Sequence, residues 1–283
     1  MLTRPIPSSG EAMPVIGIGT YRTFDIGTDK AALAERVKVL ETLFGAGGKM
    51  IDSSPMYDTA EANVGRALAA MRAKDRNVRS KAFLATKVWT TGEQAGIAEM
   101  RRSAQLMGAT GEKQMLDLMQ IHNLVDWRTQ MKTLRAWKDE GRFRYIGITH
   151  YTSSALDDLA AVIAAEKIDF VQFAYSIDVR DAERRFLPYC ADKGVATIIN
   201  RPFGSGSLFG QARGRALPDF ARELGIASWA QFFLKYILGH PAVTVAIPGT
   251  GKVSHMRDNV AAGSGPMPDA TVRKRMVQAW ERG

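Results

Sequence analysis

Met50-Ile51-Asp52-Ser53-Ser54-Pro55-Met56-Tyr57 is the stretch from which the fold is read. A short apolar run ends on an aspartate, the chain turns through Ser53-Ser54-Pro55, and a tyrosine stands at the mouth of the next segment. That segment opens with Glu61 and carries apolar residues at Ala62, Val64 and Leu68. Strand, polar turn, helix is the arrangement in which α/β barrels keep their chemistry, at the C-terminal ends of the strands. By itself, the stretch fits a helix cap and a packed ring more readily than a catalyst. The rest of the chain decides between them.

The rhythm around it is consistent. Short β-branched runs at Val15–Thr20, Met50–Ser53, Ala82–Val88, Met115–His122, Tyr145–Thr149, Phe170–Tyr175, Val195–Asn200 and Val243–Ile247 alternate with longer amphipathic segments. Their near-continuous apolar character suits parallel strands covered on both faces. Helical spacing is predicted over Lys30–Phe44, Ala98–Met107, Thr129–Asp139, Ser154–Ala165, Ala182–Asp192, Leu217–Leu224, Ser228–Leu238 and Ala270–Glu281, with Gly45, Gly108, Gly141, Gly194 and Gly225 as stop signals. Eight strand candidates, most of them followed by a helix, predict a single (β/α)8 TIM barrel over residues 1–283. Residues 1–14, punctuated by Pro5, Pro7 and Ser8-Ser9-Gly10, read as a short N-terminal hairpin, and a short C-terminal tail follows the last strand.

Composition narrows the classes. The chain has 283 residues, and single α/β barrels run to roughly 250. A hydrophobic share of 46% decides against disorder. No run approaches the roughly 18 apolar residues of a membrane span, so a membrane is not an expected partner. The N-terminus has no apolar signal core, so a cytoplasmic location is expected, or a periplasmic one if a leader was trimmed. Cys190 is the single cysteine, which excludes an internal disulfide and a thiolate metal site; no metal is expected. The formal charge of +9 is dispersed, densest at Arg101-Arg102, Arg184-Arg185 and Arg273-Lys274-Arg275. That pattern argues against nucleic acid and suits a phosphorylated small molecule.

The chemistry-bearing residues stand at the strand ends. They include Tyr21, Asp52 with Tyr57 beyond it, Lys87 with Trp89, His122, Thr149-His150, Gln172, Asn200 and Pro248-Gly249-Thr250. An acid, a phenol, an amine and an imidazole therefore converge on one rim. His122 alone reads as a structural histidine, whereas Lys87 lies in an apolar strand, and lysine is almost never buried unpaired. Asp52 is the partner within topological reach. Neither Gly17-Ile18-Gly19 nor Gly204-Ser205-Gly206 is a Rossmann fingerprint, because Arg22 and Phe209 stand where the third glycine belongs.

On Gly17-Ile18-Gly19-Thr20, Asp52 to Tyr57, Ala85-Thr86-Lys87, Gln120-Ile121-His122, Ile146 to Thr149, Val171-Gln172, Ile247-Pro248-Gly249 and Asp258-Asn259, the chain resembles the aldo-keto reductase family, of the bacterial NADP-dependent type, along nearly its whole length. The resemblance implies an oxidoreductase that reduces an aldehyde or ketone with NADPH. It makes Tyr57 the general acid, Lys87 and Asp52 its tuning pair, and His122 the residue that orients the carbonyl. It lays the cofactor across the barrel mouth, on Gly19, Thr20 and Asp52. Thr149, His150 and Gln172 match the carboxamide positions, and Asn200, Arg201, Pro202, Phe203, Ser205, Gly206 and Leu208 match the loop over the pyrophosphate. Pro248, Gly249, Thr250, Lys252, His255 and Asn259 match the adenosine end.

Three departures stand out. Thr149-His150 replaces the Ser-Asn of many relatives. Asn200 lacks their stacking ring, so that platform is either absent here or supplied from elsewhere, with Tyr175 and Phe203 as the candidates. Gly249 and His255 lack the lysine and arginine that clamp a 2′-phosphate, leaving Lys252 and Arg257 nearby.

Tyr21, Phe24, Met56, Trp89 and Trp127 are the expected pocket wall, with His122 at its base, for a small-molecule carbonyl compound on a hydrophobic or ring-bearing carrier. A monomer or weak dimer is expected. Two rival readings are a barrel glycosidase using Asp52 and Glu61 as its carboxylate pair, and an NADPH-binding sensor of the same fold with little turnover.

Overall fold

The computed structural model describes residues 1–110 and 116–282. After a hairpin of β1 (Thr3–Pro5) and β2 (Ala12–Pro14) come eight strands in one sheet: β3 (Ile18–Gly19), β4 (Met50–Asp52), β5 (Phe83–Val88), β6 (Leu116–His122), β7 (Phe143–Thr149), β8 (Phe170–Ala174), β9 (Ala196–Asn200) and β10 (Val245–Ala246). They pair in sequence order and all in parallel. A parallel bridge from Ile16 to Ala246 closes the ring, with the Gly17 amide donating to Ala246 (2.9 Å) and the Ala246 amide to Val15 (2.9 Å). The TIM-barrel reading holds. The first and last strands pair over fewer residues than their apolar runs predict, and Met115 lies outside the described residues.

Strand alternation explains the contents of the barrel. Side chains two apart share a face, so Phe83, Ala85 and Lys87 on β5 and Leu118, Gln120 and His122 on β6 point inward together. The lower inward layers are apolar, including Met50, Phe83, Ala85, Leu118, Phe170 and Ile198. The uppermost layer is polar and still buried: Asp52, Lys87, Gln120 and Gln172 are each at most 2% exposed. Ile6 and Met13 of the hairpin join the lower layer and seal the floor. The Tyr145 hydroxyl, bonded to Ser9 Oγ at 2.7 Å and donating to Glu11 at 2.6 Å, ties that seal down.

The helices pack outside, over a separate apolar layer. Glu93–Leu106, Trp127–Asp139 and Trp229–Leu238 occupy three of the predicted segments, the last capped by Ser228 Oγ accepting from the Gln231 amide at 3.1 Å. Two predictions change. Ala182–Asp192 breaks into Asp181–Arg184 and Phe186–Asp192, because Arg185 takes a non-helical backbone (φ −133°), and Leu217–Leu224 is a 3-10 turn over Asp219–Leu224. Val253–Ala261, read only as a cofactor segment, is a helix.

Candidate active site

At the top of the barrel four strands deliver one buried network. Lys87 Nζ donates to Asp52 Oδ2 at 2.6 Å and to the Ser53 carbonyl at 2.7 Å. Its ammonium also stands 5.2 Å from the centre of the Tyr57 ring. Asp52 Oδ1 accepts from the side-chain amides of Gln120 (3.0 Å) and Gln172 (2.9 Å). Each charge is therefore paired and further hydrogen-bonded, the condition under which an ion pair survives burial. Burial disfavours the Lys87 ammonium, but Asp52 and Tyr57 more than offset this and hold the amine above its usual value.

Tyr57 is carried outward by the Ser53-Ser54-Pro55 turn. Burial pushes its phenol up from the ordinary tyrosine value; Lys87 opposes that push without reversing it. Removing water from the phenol outweighs the cation. At neutral pH the phenol keeps its proton. His122, at the end of the strand beside that of Lys87, has its ring edge-on to Tyr57 (centroids 6.0 Å, 89°) and 6.1 Å from Trp89. Its Nδ1 bonds Ser54 Oγ at 2.9 Å. Burial and the Lys87 charge lower its pKa to about 3, so the ring is neutral in the physiological range.

These groups open into a cavity of about 440 Å³, lined by Gly19, Thr20, Tyr21, Asp52, Met56, Tyr57, His122, Thr149, Gln172, Asn200, Arg201, Pro202, Phe203, Ser205, Gly206 and Gly249 among the predicted residues. Through Arg22, Thr23 and Gly249, which line both, it meets a second cleft of about 700 Å³ that also has Thr250, Lys252 and His255 on its wall. The two share that wall and together form a trough that reaches from Asp52, Tyr57 and His122 to Lys252 and His255. Glycine lets the backbone segments approach closely where the two meet: a Cβ on Gly19 would meet the Ile247 carbonyl at 2.9 Å, and one on Gly249 the Gly19 carbonyl at 3.2 Å. Arg22, Arg36 and Lys252 on the wall of the outer cleft are the cationic residues able to hold an anionic group of a cofactor.

Other predicted residues lie elsewhere. Phe24 and Leu208 are fully buried in the outer core, and Trp127 packs against that core with Arg128 over its ring. Tyr175, also fully buried, bonds Glu183 and takes a 2.5 Å bond from Arg273, so it cannot reach a nicotinamide. Phe203 lines the cavity, its ring tilted against Phe209 (centroids 4.8 Å, 54°). His150 stacks on Tyr151 (5.5 Å, 12°), and its Nδ1 accepts from the Thr152 amide; it is not part of the cavity wall. Pro248 and Asn259 also lie off both walls, Asn259 being buried, and Arg257 is exposed outside the outer cleft.

Glu61 is buried too, but on the other side of the sheet. Thr86, the outward neighbour of Lys87, donates to it at 2.5 Å and Ser103 at 3.1 Å. The barrel wall separates it from Asp52, so the two do not form a glycosidase pair.

Gln120 enters the sequence reading only within a motif, and no site role is given there to it, to Asn123, to Tyr151 or to Phe209. Gln120 had a usable signal, since it sits two residues before His122 on the same strand face. Asn123 and Tyr151 lie in loops and Phe209 in the helix Ser207–Gln211, which is too short for a period to place it.

A model of the aldo/keto reductase family matches residues 15–278. The chain belongs to this family. Curated relatives agree: aldo-keto reductase str7 of Strobilurus tenacellus is 28% identical over 280 residues, covering 85% of this chain and 80% of its own. An uncharacterized oxidoreductase of Schizosaccharomyces pombe is 33% identical over 159 residues, and the match spans about half of it, 49%, and 55% of this chain. Among solved structures, an aldo/keto reductase from Klebsiella pneumoniae in complex with NADP and acetate superposes with a TM-score of 0.81 at 21% identity, covering 99% of this chain and 96% of that one. As a family member, this aldo-keto reductase is a nicotinamide-dependent oxidoreductase. Among the described residues no group of histidine, cysteine and carboxylate side chains is arranged to hold a metal, and no helix is long and apolar enough to cross a membrane.

Proposed function

We propose that this aldo-keto reductase reduces an aldehyde or ketone to the alcohol with NADPH, Tyr57 giving the proton and His122 aiming the carbonyl oxygen. The observation that carries the reading is the Asp52–Lys87–Tyr57–His122 constellation, with a filled ion pair behind a protonated phenol and a neutral imidazole beside it. Reduced nicotinamide, when bound along the trough, supplies the hydride.

The protein's own residues do the rest. As negative charge develops on the carbonyl oxygen, Tyr57 donates its proton, which Lys87 makes easier to release than burial alone would allow. Asp52 holds the ammonium in place, and Gln120 and Gln172 hold Asp52. His122 donates a hydrogen bond to the same oxygen, a preorganised donor in a water-poor site. Gln172 and Thr149, joined at 3.3 Å, and the half-buried Asn200 stand where the carboxamide would lie. Tyr21, whose ring lies 5.0 Å from Tyr57, Met56 and Trp89 form an apolar rim for the rest of the substrate. They favour ring-bearing carbonyl compounds.

NADPH is preferred over NADH in this reading because the outer cleft faces Arg22, Arg36 and Lys252 toward a 2′-phosphate, against Glu35 alone. The Klebsiella structure named above holds NADP, which is in keeping with that choice.

The test is NADPH oxidation over aromatic, aliphatic and dicarbonyl substrates, with Tyr57→Phe alongside. Turnover should fall by about 10²–10⁴-fold in the variant, with NADP⁺ affinity kept. Near-wild-type turnover would remove Tyr57 as the acid. NADPH binding without turnover of any carbonyl in the wild type would favour a sensor.

A further inference from the structure

We infer that Ser54 is the residue that fixes the tautomer of His122, so that the imidazole presents N–H from Nε2 to the substrate carbonyl. The inference rests on the reductase reading and adds to it a positioning residue.

Ser54 is fully buried in the turn between Asp52 and Tyr57. Its Oγ has two hydrogen-bond partners among the described residues: the Met56 amide at 3.2 Å and His122 Nδ1 at 2.9 Å. A hydroxyl has one proton to give and two lone pairs to offer. The Met56 amide can only donate, so it takes a lone pair. If His122 Nδ1 donated as well, the hydroxyl proton would have no acceptor in a site closed to water, a state that buried hydroxyls avoid. The arrangement that satisfies every group has Met56 donating to Ser54 and Ser54 donating to Nδ1. Nδ1 is then the unprotonated nitrogen, and in a neutral ring the proton resides on Nε2.

The ring must be neutral for this to matter, and it is: burial and the nearby Lys87 ammonium disfavour the imidazolium. The opposite tautomer would turn an Nε2 lone pair toward the carbonyl oxygen, replacing an attraction with a repulsion just where charge develops. Nε2 has no hydrogen-bond partner among the described residues and is left to the cavity that His122 lines. The same serine therefore does two things. Through its neighbours it carries the chain from Asp52 to Tyr57, and through its hydroxyl it couples that turn to the histidine of the next-but-one strand.

The test combines a spectroscopic readout with kinetics. The chain has four histidines, so ¹⁵N-histidine labelling gives a tractable spectrum, and loss of one signal set in His122→Gln assigns His122. At neutral pH the wild type should show a pyrrole-type Nε2 and a pyridine-type Nδ1. Ser54→Ala should show a mixture of tautomers, and kcat should fall roughly tenfold, the effect of one net hydrogen bond, while NADP⁺ affinity by fluorescence titration stays within about twofold. Ser54→Thr keeps the hydroxyl and should recover the Nε2–H form and most of kcat. A wild-type Nδ1–H tautomer would overturn the inference. So would a Ser54→Ala variant that keeps the Nε2–H tautomer, whether or not its turnover falls, since any loss would then be merely structural. If the wild type reduced no carbonyl at all, the reductase reading would fail, and the labelled spectra would still decide the tautomer.

Discussion

Lys87 is the residue on which two opposing demands meet. Its ammonium must be buried to act on Tyr57, and burial disfavours it; Asp52, the Ser53 carbonyl and the phenol resolve the conflict. Lys87→Met removes the charge and keeps the volume. Tyr57 then loses the influence that opposes its upward shift, so its phenol gives up the proton less readily. The reductive rate at neutral pH should fall, and the alkaline limb of the kcat profile should move to higher pH. An unmoved limb would take Lys87 out of the tuning role. The same variant leaves Asp52 as a buried carboxylate with amide donors only, and breaking a buried pair destabilises by about 3–5 kcal/mol, which a denaturant midpoint will report.

His122 sets a second expectation at this scale. Its pKa is about 3 in the folded chain and about 6.5 in an unfolded one. The unfolded state therefore binds more protons between those values, and stability contributed by the neutral ring is present above about pH 6.5 and lost as pH falls. At pH 5 the loss from this residue is about 2 kcal/mol. Thermal denaturation from pH 7 to pH 5 should show the wild type losing more than His122→Gln; equal losses would count against a buried neutral ring.

Between elements, close approach is bought by glycine. On the helix Ala60–Arg72, a Cβ at Gly65 would meet the Leu106 carbonyl at 2.0 Å, at the end of the helix Glu93–Leu106. The contact is with backbone, which cannot swing aside. Gly65→Ala, elsewhere a mild gain in helix propensity, should here push the two helices apart and destabilise by about 1–3 kcal/mol, lowering the melting temperature. Because Ala60–Arg72 follows the Tyr57 turn, kcat should fall as well, with the fold intact by circular dichroism. A raised melting temperature would refute the contact. A comparable tie exists at the C-terminal helix Ala270–Arg282, where Arg273, Tyr175, Tyr236 and Glu183 bond one another inside the outer layer.

At the scale of the whole molecule, the trough joins parts of the chain that are remote in sequence. Arg36 bonds the Thr23 carbonyl (2.5 Å) and the Gly251 carbonyl (2.7 Å), so the first barrel helix and the last loop form one wall of the outer cleft. Lys252 is exposed on that wall. Under the NADPH reading, Lys252→Ala should weaken NADPH roughly tenfold while leaving NADH nearly unchanged, and the NADPH difference should shrink as salt is raised. Equal loss for both cofactors in a fluorescence titration would count against a phosphate clamp at Lys252.

Much of this was written along the chain. Alternating apolar and amphipathic segments determined a parallel barrel, since a strand covered on both faces and a helix covered on one leave different periods in sequence. The ends of the predicted strands also brought Asp52, Lys87 and His122 to one rim. The loops were another matter. Nothing in the spacing distinguishes Tyr175, buried against Arg273, from Phe203, which lines the cavity, nor shows that Phe24 turns into the core while Tyr21 faces the mouth. The net effect of burial and charge on Tyr57 and the meeting of Ser54 with His122 were also decided only in the tertiary structure. Periodicity is a local property of the chain, whereas desolvation and hydrogen-bond satisfaction depend on what distant strands bring to the same few ångströms.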